Sequence, residues 1–128
     1  MATLWTLKKN QAFKNFEWLV IDDCSSDRTL NILNELKQES EIKINVVKNN
    51  SNKMLAYNCN LAVTLAKGKF FIFLGHDDEL VPLALKRFYE VWKNIPSNEK
   101  NNLVGMMSNC QDEQGFFVHD ELPEPPVI

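Results

Sequence analysis

Two groups of carboxylates stand directly after apolar runs in this chain. Trp18–Leu19–Val20–Ile21 leads into Asp22 and Asp23, and Phe70–Phe71–Ile72–Phe73–Leu74 leads into Gly75, His76, Asp77, Asp78 and Glu79. Carboxylates gathered at one place repel one another unless a cation or hydrogen-bond donors hold them. A hard divalent cation such as Mg²⁺ is one answer, because it takes one or two carboxylates and completes its shell with water and substrate phosphates. It would then neutralise charge developing on a leaving phosphate. The second answer is architectural. Asp22, Asp23 and Asp27 would serve as turn and capping residues, and Asp78 and Glu79 would favour the positive end of the next helix. His76 suits a metal or phosphate contact, or a loop facing solvent. Cys24 and Cys59 have no histidine near them in sequence and read as small packing residues, and His119 carries no assignment.

The elements that position these acids follow from the apolar pattern. Short apolar runs rich in aromatic and branched side chains read as strands covered on both faces, and such strands belong to parallel sheets. Residues 16–21 and 69–74 are of that kind, while 42–47 alternates in part and suits an edge; 102–107 is a weaker fourth strand. Leu30, Ile32, Leu33 and Leu36 mark an amphipathic helix reaching about residue 39. Leu55, Cys59, Ala62, Val63 and Ala66 mark another, with Gly68 expected as its left-handed C′ residue. Pro82 is expected to open a helix whose buried face is Leu85, Phe88, Tyr89, Trp92 and Ile95, ended by Pro96. A short helix is expected over 3–9, a hairpin at Gln114–Gly115, and an extended proline-rich tail over 120–128. Alternating strands and helices imply a mostly parallel α/β sheet with helices on both faces. The simplest order places 42–47 outside 18–21, then 69–74 and 102–107 on the other side. Ligands bind at the carboxyl ends of such strands, where the order reverses. That crevice would gather Asp22, Asp23, Asp77 and Asp78.

Size and charge narrow the classes. The 128 residues suit one domain, and a net charge of −3 leaves no electrostatic footprint for nucleic acid. No apolar segment is long enough to span a bilayer, and Met1–Lys9 lacks the layout of a signal peptide. Three widely spaced cysteines without a C-x-x-C pair suit a reduced, cytoplasmic chain, with peripheral attachment to the inner face of the membrane as a variant.

Residues 10–27, reading N-Q-A-F-K-N-F-E-W-L-V-I-D-D-C-S-S-D, resemble the N-Q-T-(F/Y)-K-N-(F/Y)-E segment and its V-D-D-G-S-T-D ending in glycosyltransferase family 2. Asn60 to Phe71 is similar to that family's R-N-x-G-(I/L)-x-x-A-x-G-(E/K)-Y-(I/F), and Gly75 to Pro82 to its D-x-D-D-x-x-x-P. The resemblance implies the GT-A fold, which is Rossmann-like. It also implies transfer of a sugar from a nucleotide-diphosphate donor to a carbohydrate or lipid-linked acceptor, with Mg²⁺ or Mn²⁺ as the cation. By position, Asp23 resembles the acid that hydrogen-bonds the nucleotide base, with Asp22 and Ser25 beside it. Asp77 resembles the second acid of the metal-binding D-x-D motif, with Asp78 adjoining, and His76 and Asn60 fall near the phosphates.

The departures carry consequences. Gly75 replaces the first Asp of the D-x-D motif, which implies weaker metal affinity, and Cys59 replaces an arginine that approaches phosphates in the family. Cys24 and Ala62 replace glycines, which are milder changes. The family's sheet also has a first strand between those ending at Asp22 and Gly75, and an acidic catalytic base further along; neither is recognisable here. An incomplete donor-binding domain, weak or inactive alone, is the expectation. The 18–21 and 69–74 strands are then expected to pair directly, or else a strand from another chain fills the gap. Two rival readings stand beside this one. A phosphoacceptor signalling domain shares the placement of acids but calls for a late Lys and Thr/Ser that are not evident. A non-catalytic remnant would act through self-association of its sheet.

Overall fold

The computed structural model describes residues 13–118. The helix expected over 3–9, His119 and the tail lie outside the described residues. The chain divides into two compact units, Met1–Tyr89 and Glu90–Ile128.

The first unit is built on two parallel strands, β1 (Glu17–Asp22) and β2 (Lys43–Lys48), in register from Glu17 opposite Lys43 to Asp22 opposite Lys48. Parallel neighbours require a crossover, and α1 (Thr29–Glu39) supplies it. Leu33 of α1 is buried, as are Ile42 and Ile44, which lie two residues apart and so share a face. These three side chains form the dry contact between α1 and β2. Both strands and α1 fall within a residue or so of the sequence expectation.

Next comes α2 (Met54–Leu65), which packs on β1. Its inner side is shallow: Cys59, Ala62 and Ala66 are half-buried, while Leu55 and Val63 of the expected buried stripe are exposed. The helix does not end on a left-handed Gly68. Ala66 takes an extended conformation (ψ 135°) and its N–H bonds Ala62 O at 2.9 Å. The next N–H, that of Lys67, is captured by Glu17 Oε1 at 2.8 Å. Glu17 Oε2 meanwhile accepts from Asn45 Nδ2 at 3.0 Å and faces Lys43 Nζ at 3.7 Å. One carboxylate at the start of β1 therefore fixes both β2 and the exit of α2, which is why no glycine cap is needed.

The run 69–74 is not a strand, and it does not pair with β1. This corrects the expected central strand and the expected direct pairing. Residues 71–74 form no backbone hydrogen bond among the described residues, and the side chains of 70–73 are all exposed. A strand exists only by its ladder. The resemblance implies an intervening strand at this point of the sheet, none of the described residues provides it, and the run has no ladder to join. The same reason removes the strand expected at 102–107, where Val104 is fully exposed.

Helix α3 (Ala84–Asn94) begins two residues after Pro82, with Leu83 in the left-handed region at φ 66°. Of its expected face, Leu85, Phe88 and Trp92 are half-buried, and Tyr89 is exposed with its ring stacked on Phe13 at 5.1 Å. In the second unit Pro96 ends α3 and caps α4 (Ser97–Lys100), a single turn that the sequence reading did not anticipate. The hairpin at Gln114–Gly115 is present: Gln111 and Phe117 form an antiparallel bridge, and Gly115 takes φ 86°. Asp112 Oδ1 closes the turn by accepting the N–H groups of Gln114 and Phe116.

Leu33→Ala should lower stability by about 2–5 kcal/mol, the usual range for emptying a buried leucine site. Urea unfolding followed by far-ultraviolet circular dichroism measures it; a loss below about 1 kcal/mol would mean that the α1–β2 contact is not the core.

Candidate functional site

Asp22 closes β1 and is buried, and Asn49 extends the ladder one step by donating its N–H to Asp22 O at 2.9 Å. The Asp22 carboxylate accepts the N–H of Ser25 on both oxygens, each at 3.3 Å. Between them Cys24 takes φ 68°, a left-handed conformation that a side chain disfavours by roughly 1–2 kcal/mol. The family's glycine at this position has a physical reason, so the replacement is less mild than expected. Asp27 accepts the N–H of Thr29, the first residue of α1, at 2.9 Å from the position before the N-cap. The N-cap itself is Arg28, which makes no side-chain cap, so none of Ser25, Ser26 and Asp27 takes the expected N-cap position.

Asp23 is held by donors from Asn49, Lys53 and Met54, with a smaller contribution from the Asn58 side chain. Its Oδ1 accepts Asn49 Nδ2 at 2.8 Å and the Lys53 N–H at 2.7 Å, and its Oδ2 accepts the Met54 N–H at 2.9 Å. Lys53 and Met54 open α2, whose N-cap residue makes no side-chain cap of its own. A carboxylate about 30 residues earlier in the chain thus satisfies the orphan N–H groups and sits in the positive field of the helix end. Asn49 also donates to Asn58 Oδ1 at 2.6 Å, which ties the clasp to the second turn of α2. The Asn49 amide, above all, holds the Asp23 carboxyl below the ordinary aspartate range; the Lys53 and Met54 N–H groups add to it, and desolvation works against them. Asn49 and Asn58 were missed in the sequence reading. Asn49–Asn50–Ser51–Asn52 carries only the composition of a turn, and nothing local marks which asparagine turns inward.

The second acidic group forms its own turn. Asp78 Oδ2 accepts the Gly75 N–H at 3.1 Å, and the Asp78 N–H returns to Gly75 O at 3.3 Å. The Asp77 side chain is exposed, with His76 Nδ1 3.7 Å from its Oδ1. A Cβ on Gly75 would lie 2.6 Å from Asp78 Oδ2 and 2.9 Å from Asp77 Oδ1. The two carboxylate oxygens therefore converge on the bare side of the glycine. Among the described residues no three His, Cys, Asp or Glu side chains form a metal cage. Two converging carboxylates nevertheless fit a cation of the Mg²⁺ type, which completes its shell with water and phosphate.

Asn60 is exposed on α2, where its carbonyl accepts the Thr64 hydroxyl at 2.9 Å. Asp23 is hydrogen-bonded by Asn49 and the start of α2, whereas Asp77 lies 3.7 Å from His76; these two sets of contacts share no residue. The three cysteines are free; Cys59 is half-buried as a packing residue would be, but Cys24 is exposed, against the expectation that it packs, because its left-handed turn carries it out of the strand.

The unit is of α/β type, with acids after its first described strand and in a later glycine turn. Comparison with known proteins sharpens that class. The chain belongs to glycosyl transferase family 2, whose family model matches residues 2–122. It is 31% identical over 119 residues to UDP-Glc:alpha-D-GlcNAc-diphosphoundecaprenol beta-1,3-glucosyltransferase WfaP of Escherichia coli, covering 93% of this chain and 44% of that protein. It is 27% identical over 119 residues to an uncharacterized glycosyltransferase of Haemophilus influenzae, covering 92% and 38%. Over 71 residues it is 34% identical to the poly(ribitol-phosphate) beta-N-acetylglucosaminyltransferase TarS of Staphylococcus aureus, covering 56% and 12%. The chain spans less than half the length of these relatives. No solved structure matches it. Among the described residues no helix is long and apolar enough to cross a membrane.

The depressed Asp23 carboxyl has a signed consequence for stability. Its folded value lies below its unfolded one, so its contribution is fully present above about pH 4 and is lost as pH falls through the folded value. Asp23→Asn should lower stability at neutral pH and flatten the decline of the urea midpoint between pH 5 and pH 2. An equally steep decline in the variant would show that Asp23 is not the clasp.

Proposed function

We propose that this chain carries the donor-binding portion of a family 2 glycosyltransferase that moves a sugar from a nucleotide-diphosphate donor to an acceptor hydroxyl. The observation that carries the reading is the convergence of Asp77 and Asp78 oxygens on the bare side of Gly75. Asp77 and Asp78 would hold Mg²⁺ or Mn²⁺, which when bound supplies positive charge to the departing nucleoside diphosphate. Asp23, with Asp22 and Ser25 next to it, would receive the nucleotide base. His76 and Asn60 would contact phosphate as hydrogen-bond donors. The acceptor is a carbohydrate or lipid-linked carbohydrate, in keeping with the diphosphoundecaprenol sugar in the name of the E. coli relative. Such an acceptor would place the whole protein at the inner face of a membrane. Membership of the family speaks against the phosphoacceptor reading.

Gly75 acquires a purpose in this reading. The missing side chain leaves the space that two carboxylate oxygens share, so loss of the motif's first acid need not abolish cation binding.

Calorimetric titration with uridine diphosphate, with and without Mn²⁺, tests the assignment. Mn²⁺ should tighten binding to the wild-type chain, and Asp77→Ala should erase about tenfold or more of that gain. Gly75→Ala should reduce it as well, because its methyl group occupies the shared space. Mn²⁺-dependent binding of equal strength in Asp77→Ala would overturn the metal assignment.

A further inference from the structure

We propose that two copies of this chain associate by exchanging the run 69–74, which joins the open edge of β1 in the other copy as an antiparallel third strand. The inference concerns two halves of an unfinished sheet and does not rest on the donor reading.

β1 has one hydrogen-bonded neighbour, β2. Asp22 O accepts the Asn49 N–H, so the backbone of Asp22 faces β2. Successive residues of a strand turn their backbone groups to opposite edges, which puts Val20 and Trp18 on the β2 side with it. The N–H and C=O groups of Leu19 and Ile21 then face the other way, where no described residue pairs with them. Exposed edges are ordinarily guarded by charge, proline or a bulge. Trp18–Ile21 has none of these: it is apolar, and its register with β2 runs without interruption.

The run 69–74 is the matching piece. Residues 71–74 make no backbone hydrogen bond among the described residues, and Phe71, Ile72 and Phe73 are exposed. The rings of Phe71 and Phe73 meet edge to face at 4.6 Å, as side chains two apart do on one face of an extended segment. Charge decides both orientation and source. Lys67 and Lys69 lead the run, and Asp77, Asp78 and Glu79 follow it. The start of β1 carries Lys14, Glu17 and Lys43, a positive balance; its end carries Asp22, Asp23 and Lys48, a negative one. Lys53, beside Asp23, turns its ammonium over the Tyr57 ring, 5.9 Å from the centroid. Within one copy the run leaves α2 at Lys67, whose N–H is held by Glu17 at the start of β1. Pairing from there would run parallel to β1 and bring the three acids onto Asp22 and Asp23. A second copy can approach antiparallel, which sets Lys67 and Lys69 against Asp22 and Asp23, and the acids against Lys14 and Lys43. Opposite charges across a strand pair stabilise it, and like charges oppose it. The exchange is reciprocal, so two copies close on each other. It belongs to the chain without nucleotide, because it takes the Gly75 turn to the start of β1 instead of its end.

Light scattering and amide hydrogen exchange of the full chain across a concentration series test this. A dimer should form as concentration rises. Exchange at Leu19 and Ile21 should slow by about tenfold or more, while Val20, already bonded to β2, changes little. Ile72→Pro should abolish the dimer, because proline removes a ladder donor. The Ile72 N–H is unbonded in the single copy, so the circular dichroism of the variant should match the wild type. If that variant does lose structure, Ile72→Asp, read in the same way, takes its place. A chain that stays monomeric throughout overturns the inference. So does a dimer that survives the substitution or leaves Leu19 and Ile21 exchange unchanged, since another surface would then hold it. Growth beyond two copies overturns the reciprocal closure, and a dimer that binds uridine diphosphate with Mn²⁺ without dissociating overturns the antiparallel placement. Failure to bind nucleotide at all touches the donor reading alone.

Discussion

The first unit depends on a carboxylate fastened to a helix that begins 30 residues later. Asp23 leaves β1 and takes the N–H groups of Lys53 and Met54, while the Asn49 amide braces it from the end of β2. Two parallel strands alone make a poor scaffold, because a ladder with one neighbour leaves a hydrogen-bonding edge on each strand. The apolar contact of Leu33 with Ile42 and Ile44 joins α1 to β2. It does nothing for α2, which has no fully buried residue. Polar ties at its two ends hold that helix instead: Asp23 at its start and Glu17 at its exit. Both carboxylates flank β1, so the strand holds α2 at its two ends.

The same arrangement joins architecture to chemistry. An acid at the positive end of a helix is kept ionised and fixed in direction. Both properties suit recognition of a donor group on a ligand. A capping role and a binding role are therefore not exclusive for Asp23. At the second cluster Gly75 plays the corresponding part, since its bare α-carbon lets Asp78 fold back onto the Gly75 N–H and brings the Asp77 oxygen near.

What was legible in the sequence is what neighbouring residues encode. The apolar run 18–21, the Leu30–Leu33–Leu36 stripe and the Gln114–Gly115 turn each carry their own signal, and each appears within a residue or so of its expected place. Strand 69–74 had the strongest local signal of all, yet it fails. Phe, Ile and Leu make a segment apt for a sheet, but only a partner's N–H and C=O groups make it a strand. The clasp on Asp23 was illegible for the opposite reason. Its partners lie 26 to 31 residues away, and an inward-turned asparagine looks no different from the others in a polar turn. The family motifs single out the acids along the chain, though they give no account of how Gly75 changes the space around them.

The central claim is that the β1 end and the Gly75 turn serve one bound nucleotide. Amide-resolved nuclear magnetic resonance of the isotopically labelled chain tests it most directly, with Mn²⁺ as a paramagnetic probe. Mn²⁺ alone should broaden the signals of residues 75–79. Addition of uridine diphosphate should then shift the Asn49, Lys53 and Met54 signals together with those of the turn. Nucleotide that perturbs the turn while leaving Asn49, Lys53 and Met54 unmoved would contradict the account.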